Sequence, residues 1–252
     1  MIRGAARRGM LGTGLALWVG LTAGGCSASP PPAPTATVSP EPSVVASPSS
    51  AAAPTETMPA EPTTTNTLPP PPPPSGPAPS TAAGLTAASL PVPAGWKTVA
   101  LEGSEEEGFA GNGTWVHARD PRYAAYDVVG VGCTSVTRDD YPDPIAALEG
   151  NYESRARAPG IGLVLEFADA ADATRFFELY QQQVRACTGG DGSVRTTIVS
   201  ETDGLVDRRT YPDSEWTEIA RQSGPRLTMI ILTDPGHRIS RAAAQAILDQ
   251  IP

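Results

Sequence analysis

The chain has 252 residues, a formal net charge of −9 and 28 prolines, of which 18 lie between Pro30 and Pro79. That proline-rich segment cannot bury enough apolar surface to offset the entropy of ordering it, which excludes it from a folded core. Up to residue 61 three arginines and three glutamates cancel, so the whole charge belongs to the remainder of the chain. An acidic domain without a basic stripe argues against binding to nucleic acid.

Lys97 is the only lysine among the 18 basic residues, and the others are arginines. Heavy use of arginine, alanine, glycine and proline with so little lysine is typical of a high-GC genome. We therefore expect an actinobacterial source.

The N-terminus has the parts of a secretory signal. Residues 1–10 carry three arginines and no acid, and the apolar stretch Leu11–Val19 follows. This stretch is shorter than the roughly 20 apolar residues of a membrane span. Cys26 comes directly after two glycines and resembles the acylated cysteine of a lipobox, which implies a signal peptide over 1–25 and a lipid anchor such as palmitate on Cys26. An ordinary cleaved signal and a retained anchor are the alternatives, and the export route stays open between the Sec and twin-arginine systems.

Residues 26–88 are rich in Pro, Ala, Ser and Thr and are predicted to be a disordered linker that follows the lipidated cysteine. Such sequence is extended and PPII-like, and some 60 residues at about 3.1 Å each would reach roughly 180 Å. The linker would hold the domain away from the extracytoplasmic face of the cell membrane. A docking site for a proline-reading partner and a target for O-glycosylation are the alternative interpretations.

Residues 89–252 are predicted to form one sensor-like domain of the α+β class. Ile161–Phe167 is apolar enough for a central strand, and Asp169 can cap the helix that follows, which two glycines end. Ser240 caps a final helix. The other predicted strands are Trp115–Arg119, Ala125–Gly132, Val194–Ser200, Leu205–Tyr211, Trp216–Gln222 and Leu227–Leu232.

The last four of these strands are joined by short turns, which predicts an antiparallel meander. The turn Asp120-Pro121-Arg122 separates the first two strands, and Thr137–Pro144 is predicted to be a polar loop. The expected fold is therefore an antiparallel sheet with two helices packed on one face.

Two cysteines remain in the domain, Cys133 and Cys187, so only one disulfide is possible there. In an oxidising envelope the two should be joined. Closing a loop of about 55 residues stabilises the fold by roughly 4 kcal/mol on the chain-entropy model. Neither cysteine belongs to a CxxC pair, so we predict a structural disulfide rather than a redox site.

No residue pattern indicates catalysis, a metal site or a cofactor, and we predict none of the three. The two histidines, His117 and His237, are interpreted as surface residues. Asp139, Asp140 and Asp143 lack the spacing of an EF-hand and are interpreted as solvated loop acids. The sequence contains no P-loop, dinucleotide fingerprint, Gly-x-Ser-x-Gly or Ser-x-x-Lys motif.

The stretch from Gly162 to Gly189 resembles a known family. Leu-Val-Leu-Glu-Phe-Ala-Asp-Ala-Ala-Asp-Ala-Thr-Arg-Phe-Phe leads from the strand into the helix, and Gln-Gln-Val-Arg-Ala-Cys-Thr-Gly ends it. These residues are similar to the PknH-type extracellular sensor domain, which occurs in mycobacterial lipoproteins and at the outer end of a receptor Ser/Thr kinase. The resemblance implies an antiparallel α+β domain with a cleft and a ligand-sensing role.

We expect a monomeric, non-enzymatic domain that binds a ligand or acts as a sensor. Its expected partners are the membrane, through the lipid anchor, and an unknown small ligand or envelope component. One alternative is a hydrolase of envelope polysaccharide or peptidoglycan, which requires paired carboxylates, and the acids of residues 139–143 are the candidates. Another is a scaffold for protein partners in the cell envelope, which a large exposed apolar patch would favour.

Overall fold

The computed structural model describes residues 62–67, 69, 72–104, 108–189 and 194–252. The predicted signal peptide, the lipidation site Cys26 and the predicted linker up to residue 61 lie outside these residues.

Three α-helices, two short 3-10 helices and twelve strands occur in the described part of the chain. The helices are α1 (Pro121–Val129), α2 (Ala170–Ala186) and α3 (Arg241–Leu248), with the 3-10 helices at Ala87–Ser89 and Arg138–Asp140. The strands are β1 (Thr64–Thr65), β2 (Trp96–Thr98), β3 (Gly103–Ser104), β4 (Phe109–Ala110), β5 (Val116–Arg119), β6 (Val136–Thr137), β7 (Ala146–Ser154), β8 (Pro159–Glu166), β9 (Arg195–Ser200), β10 (Leu205–Thr210), β11 (Glu215–Ser223) and β12 (Arg226–Thr233).

Eight strands form one antiparallel sheet in the order β2-β7-β8-β12-β11-β10-β9. The eighth, β5, pairs with the same strand as β2: Val116 lies opposite Gly150 and Trp96 lies opposite Ser154, so β5 and β2 lie end to end along β7. The predicted meander is confirmed, since β9, β10, β11 and β12 pair in chain order. Antiparallel neighbours need only a tight turn between them, so strands joined by short connections pair in the order in which they follow one another in the chain.

The sheet is covered on both faces. Alternation along the central strand β8 sends Leu163 and Leu165 to one apolar cluster and Val164 to the other. Helices α1 and α2 complete the first cluster, on what we call the α1/α2 face. Helix α3 packs on the opposite, α3 face, together with Leu85 and Leu90 from the segment before β2.

The α+β class, the antiparallel sheet and the single disulfide of the sequence analysis are confirmed. Two helices do pack on one face, but they are α1 and α2. The C-terminal helix, which was expected beside α2, lies on the α3 face because its apolar residues Ala244, Ile247 and Leu248 meet Ile219 and Ile230 of the sheet.

The prediction of a strand over Ala125–Gly132 was wrong, since the chain forms α1 there. The residues read as a turn begin this helix: the Asp120 carboxylate accepts a hydrogen bond from the Tyr123 backbone N–H at 3.0 Å, and Pro121 occupies the first helical position. Capping by aspartate and proline at this position both favour a helix start. They outweigh the strand propensity of the valines that follow.

Two further boundaries differ from the prediction. The Thr137–Pro144 loop contains the end of β6 and a 3-10 helix, and strand β7, directly after it, was not predicted. Seven of the nine β7 residues are buried although the strand includes Glu149 and Asn151. Because both faces of the sheet are covered, a polar residue inside this strand does not mark a solvent-exposed face, and the usual alternation is lost.

The last part of the predicted linker is packed against the domain. Thr64 of β1 lies opposite Val136 of β6 in a short parallel pair, and the Tyr126 hydroxyl of α1 donates to the Thr64 carbonyl at 3.3 Å. The Thr67 hydroxyl donates to the Asp139 carboxylate at 2.6 Å, and Leu85 is fully buried. These contacts extend the folded unit to residues before 89.

Cys133 and Cys187 form the predicted disulfide, with 5.3 Å between their Cα atoms. It joins the segment after α1 to the end of α2. Gly189, just beyond α2, has a φ of +71°, the left-handed conformation in which glycine commonly ends a helix. The disulfide thus ties together the ends of the two helices that cover one face of the sheet.

Candidate functional site

An open pocket of about 310 Å³ lies between α1 and the sheet on the α1/α2 face. This volume is at the lower end of the range for small-ligand sites. One wall is α1, and the rest comes from β5, β7, β8, β11 and β12. The apolar side chains that line it are Ala124, Val128, Ile161, Leu163, Trp216 and Ile231.

One end of the pocket is charged. The Arg119 guanidinium donates to the Asp127 carboxylate at 2.6 Å through Nη2 and to the Glu149 carboxylate through Nη1. Burial alone would lower the pKa of Arg119, but the neighbouring Glu149 and Asp127 raise it above its usual value. Asp127 is the most accessible of the three, with half of its side chain exposed. One arginine is therefore held between two carboxylates at the edge of an apolar cavity.

The register of the sheet sets this arrangement. Arg119 and His117 are two residues apart on β5 and so point to the same face, and His117 lies directly opposite Glu149 of β7. Asp127 comes from the pocket-facing side of α1, whose start is fixed by the Asp120 cap. A helix that began elsewhere would carry this carboxylate to a different place.

His117 lies behind the charged end and is buried, so its interpretation as a surface residue was wrong. Its ring stacks on Phe109 with 3.7 Å between centroids, and its Nε2 atom is 3.7 Å from the nearest Glu149 oxygen. Burial, and to a lesser degree the charge of Arg119, lowers the pKa of His117 to about 4. The imidazole is therefore neutral at neutral pH and adds no positive charge to the site.

A second polar group is buried on the same face of the sheet. The Arg209 guanidinium contacts Glu218 at 2.9 Å and Asp207 at 3.0 Å, and it also donates to the Tyr180 hydroxyl. That hydroxyl in turn donates to Glu218. Tyr180 reaches this group from α2, whereas the other three residues lie on β10 and β11. We call these four residues the buried network.

The buried network adjoins the pocket floor. Ile231 lies directly opposite Glu218, and Trp216 lies directly opposite Arg209. The pKa of Glu218 is raised to about 7: burial raises it most, Arg209 opposes the rise, and the nearby Asp207 carboxylate adds to it. Burial likewise raises the pKa of Asp207. Two carboxylates compete here for a single arginine, and one of them takes up a proton more readily than an exposed acid does.

The acids proposed from sequence as a hydrolase pair lie away from the pocket. Asp139 and Asp143 both contact Arg122, and Asp143 also contacts the buried Arg138 at 2.8 Å. Together with Thr67, which donates to Asp139, these contacts hold the linker end and the loop before β7 against α1. Their geometry is that of ion pairs within the fold.

Sequence reasoning missed Arg119, Asp127 and Glu149. The available signal was a charge inside an apolar strand: Glu149 interrupts β7, and Asp207 and Glu218 interrupt β10 and β11 in the same way. Arg119 and His117 are also two residues apart on a correctly predicted strand, so they share one of its faces. No sequence signal placed Asp127, because α1 had been predicted as a strand.

Within the residues that the structure describes, no three His, Cys, Asp or Glu side chains converge as metal ligands do. None of the helices in this part of the chain is long and apolar enough to cross a bilayer. Of the predicted site residues, Cys133 and Cys187 are paired, while Cys26 lies outside the described range.

No protein-family model matches the chain, and no curated protein is similar to it in sequence. Among solved structures, the extracellular domain of PknH from Mycobacterium tuberculosis is similar, with a TM-score of 0.34 and 13% sequence identity. The similarity covers 54% of this chain and 77% of that one. A similarity of this level carries no information about ligand, partner or activity.

Proposed function

We propose that this protein is an extracytoplasmic, non-enzymatic ligand-binding domain, anchored to the cell membrane by a lipid on Cys26 and acting as a sensor or carrier of a small molecule. The observation that carries the proposal is the pocket between α1 and the sheet. Its lining is largely apolar, it opens to solvent, and its charged groups are gathered at one end. Small-molecule sites commonly combine an apolar cavity with a few convergent polar groups.

The state of the acids favours binding over hydrolysis. Glycoside hydrolysis needs one carboxylic acid that donates a proton and one carboxylate that acts as base or nucleophile. At this pocket Asp127 and Glu149 both contact the same guanidinium, that of Arg119. A pair held in this way suits recognition of a ligand better than proton donation.

Two matched variants test the pocket. Ile161→Trp adds bulk at the pocket mouth, where Ile161 is 39% exposed, whereas Ile145→Trp adds the same bulk at an exposed isoleucine outside the lining. We expect native mass spectra of the exported protein to show a small-molecule adduct that Ile161→Trp loses and Ile145→Trp retains. If the wild type carries no adduct and no envelope metabolite raises its melting temperature, the binding function is wrong.

The anchor is tested separately. The intact mass of the protein extracted from membranes should equal that of a chain beginning at Cys26 plus the acyl groups, and Cys26→Ser should release the protein into the medium. An unmodified N-terminus would contradict lipidation while leaving the pocket proposal in place.

A further inference from the structure

We infer that the pocket binds an organic cation: a small molecule with an apolar body and a protonated nitrogen at one end. This inference rests on the proposed binding function and adds the chemical class of the ligand. The charge at one end of the pocket and the apolar lining of the rest carry it.

The charged end has an excess of one negative charge. Asp127 and Glu149 carry two formal negative charges and Arg119 carries one positive charge. His117, buried behind Glu149, is neutral. The buried network next to the floor contains two acids and one arginine, so it adds no positive charge. A cation entering the pocket is attracted by this excess, and an anion is repelled by it.

Arg119 is not placed to receive an anion. Its Nη1 donates to Glu149 and its Nη2 donates to Asp127, so both ends of the guanidinium fork are engaged. An anionic ligand would have to displace one of these carboxylates and would leave that charge without its cation, at a site where most of Glu149 is buried.

Asp127 is the group best placed to receive a cation. Half of its side chain is exposed, compared with 17% for Arg119 and 11% for Glu149. A carboxylate accepts several hydrogen bonds, so Asp127 can bind a ligand ammonium while it keeps its contact with Arg119. The ligand nitrogen would then sit at the mouth of the pocket, where it stays partly hydrated.

The apolar lining sets the shape of the rest of the ligand. Leu163 and Ile231 form the floor, and Ile161 stands partly exposed at the opening. Trp216 closes one side, and an indole face can also attract a nearby cation. At about 310 Å³ the cavity has room for a body of one ring or a short chain.

Three probes that share the phenylbutane carbon skeleton and differ in the head group test the inference: 4-phenylbutylamine, 4-phenylbutan-1-ol and 4-phenylbutyrate. Their dissociation constants for the mature protein are measured by titration calorimetry at pH 7. We expect the amine to bind about two- to fivefold more tightly than the alcohol, because both can donate a hydrogen bond to Asp127 but only the amine adds an ion pair, and this carboxylate is half exposed. We expect the acid to bind least. Added salt should weaken binding of the amine and leave binding of the alcohol unchanged.

Variants locate the effect. Asp127→Asn keeps the shape of the side chain and should weaken binding of the amine about two- to fivefold, with little change for the alcohol. Glu178→Gln, which removes an exposed acid of α2 outside the pocket, is the control. It should change neither the affinity for the amine nor the affinity for the alcohol. Melting curves confirm that each variant is folded. Should Asp127→Asn fail to fold, Ile161→Trp provides the second test, since it should weaken all three probes.

The outcomes separate the two proposals. Tightest binding by the alcohol or the acid would overturn the cation assignment and leave the binding pocket standing. Amine binding that Asp127→Asn and Ile161→Trp leave unchanged would also overturn it, because the amine would then lie elsewhere. If none of the three probes binds at millimolar concentration, the cation assignment fails, and the adduct measurement on the exported protein decides the binding function independently.

Discussion

The buried network makes the stability of the domain depend on pH, with a definite sign. Burial raises the pKa of Glu218 from 4.5 to about 7 in the folded state. A raised pKa means that the folded protein holds this proton more tightly than the unfolded chain does. The contribution is therefore fully present below about pH 4.5, decreases as the pH rises, and is lost above about pH 7. A difference of this size corresponds to on the order of 3 kcal/mol.

Asp207→Asn is the informative change. The negative charge of Asp207 is one cause of the raised pKa of Glu218. Asparagine keeps an oxygen for the Arg209 Nε–H, which donates to Asp207 at 3.0 Å, and it removes the charge. Arg209 then faces a single carboxylate, and the pKa of Glu218 falls. Each unit of that fall should add about 1.4 kcal/mol of stability at pH 8 relative to pH 4.5, so the variant should gain stability relative to the wild type as the pH rises.

The assay is urea unfolding followed by circular dichroism at pH 4.5, 5.5, 6.5, 7.5 and 8.5, with the disulfide intact. The buried His117, whose pKa is lowered to about 4, adds stability as the pH rises through the same range, and it does so in both proteins. The test is therefore the difference between the two profiles: the free energy of unfolding of Asp207→Asn minus that of the wild type should rise between pH 4.5 and 8.5. Glu178→Gln serves as the control for removal of an exposed acid and should follow the wild type. A difference that stays constant or falls as the pH rises would refute the reasoning.

Three further predictions concern how the domain is held together. Replacing Cys133 and Cys187 by serine should lower the free energy of unfolding by about 4 kcal/mol, because they close a loop with a sequence separation of 54. Urea unfolding of the wild type and the variant measures this loss. An unchanged unfolding midpoint would contradict the prediction. Leu85→Ala should lower the free energy of unfolding by about 2–5 kcal/mol because Leu85 is fully buried. Leu101→Ala, at a residue that is 39% exposed, should lower it much less. Equal losses would show that the linker end is not part of the core. Gly162→Ala should cost about 1–3 kcal/mol, because its new methyl group would lie 2.6 Å from the Tyr152 hydroxyl. Gly76→Ala, where a methyl group meets nothing within 4 Å, is the matched control, and thermal melting compares the two.

The paired glycines show why the covering of the α3 face could not be recognised from sequence. Gly150 of β7 lies directly opposite Gly162 of β8, which leaves a patch of the α3 face without side chains. Leu90 and Trp115 lie flat over that patch, so a methyl group on Gly150 would come within 3 Å of both. A glycine in a strand signals such a close approach, but its covering residue is distant in the chain and carries no local signal.

The elements with strong local signals were predictable. Strand β8, helix α2 and the meander from β9 to β12 combine apolar periodicity with clear caps and turns, and all were located to within a few residues. The single possible pairing of Cys133 and Cys187 was predictable for the same reason, since composition alone limits it. The helix and the strands depend on residues that are close in sequence, and the disulfide depends on the number of cysteines in the domain.

The candidate site was not predictable, because it depends on tertiary contacts. Asp127 reaches Arg119 only because α1 crosses the sheet at this place, and Glu149 belongs to a strand whose two faces are both covered. The sequence places Asp139 and Asp143 close together and suggests a pair, yet the fold supplies each with an arginine. Proximity in sequence indicated the wrong acids, and the sheet register brought the relevant ones together.

The contacts of the linker end join residues 62–67 to the helix that forms one wall of the pocket. Residues 62–67 are attached to β6 and to α1, through Tyr126 and through Arg122, which donates to Asn66 at 3.4 Å. The same helix contributes Asp127 to the pocket. A molecule bound between α1 and the sheet would therefore contact the helix to which the linker end is attached.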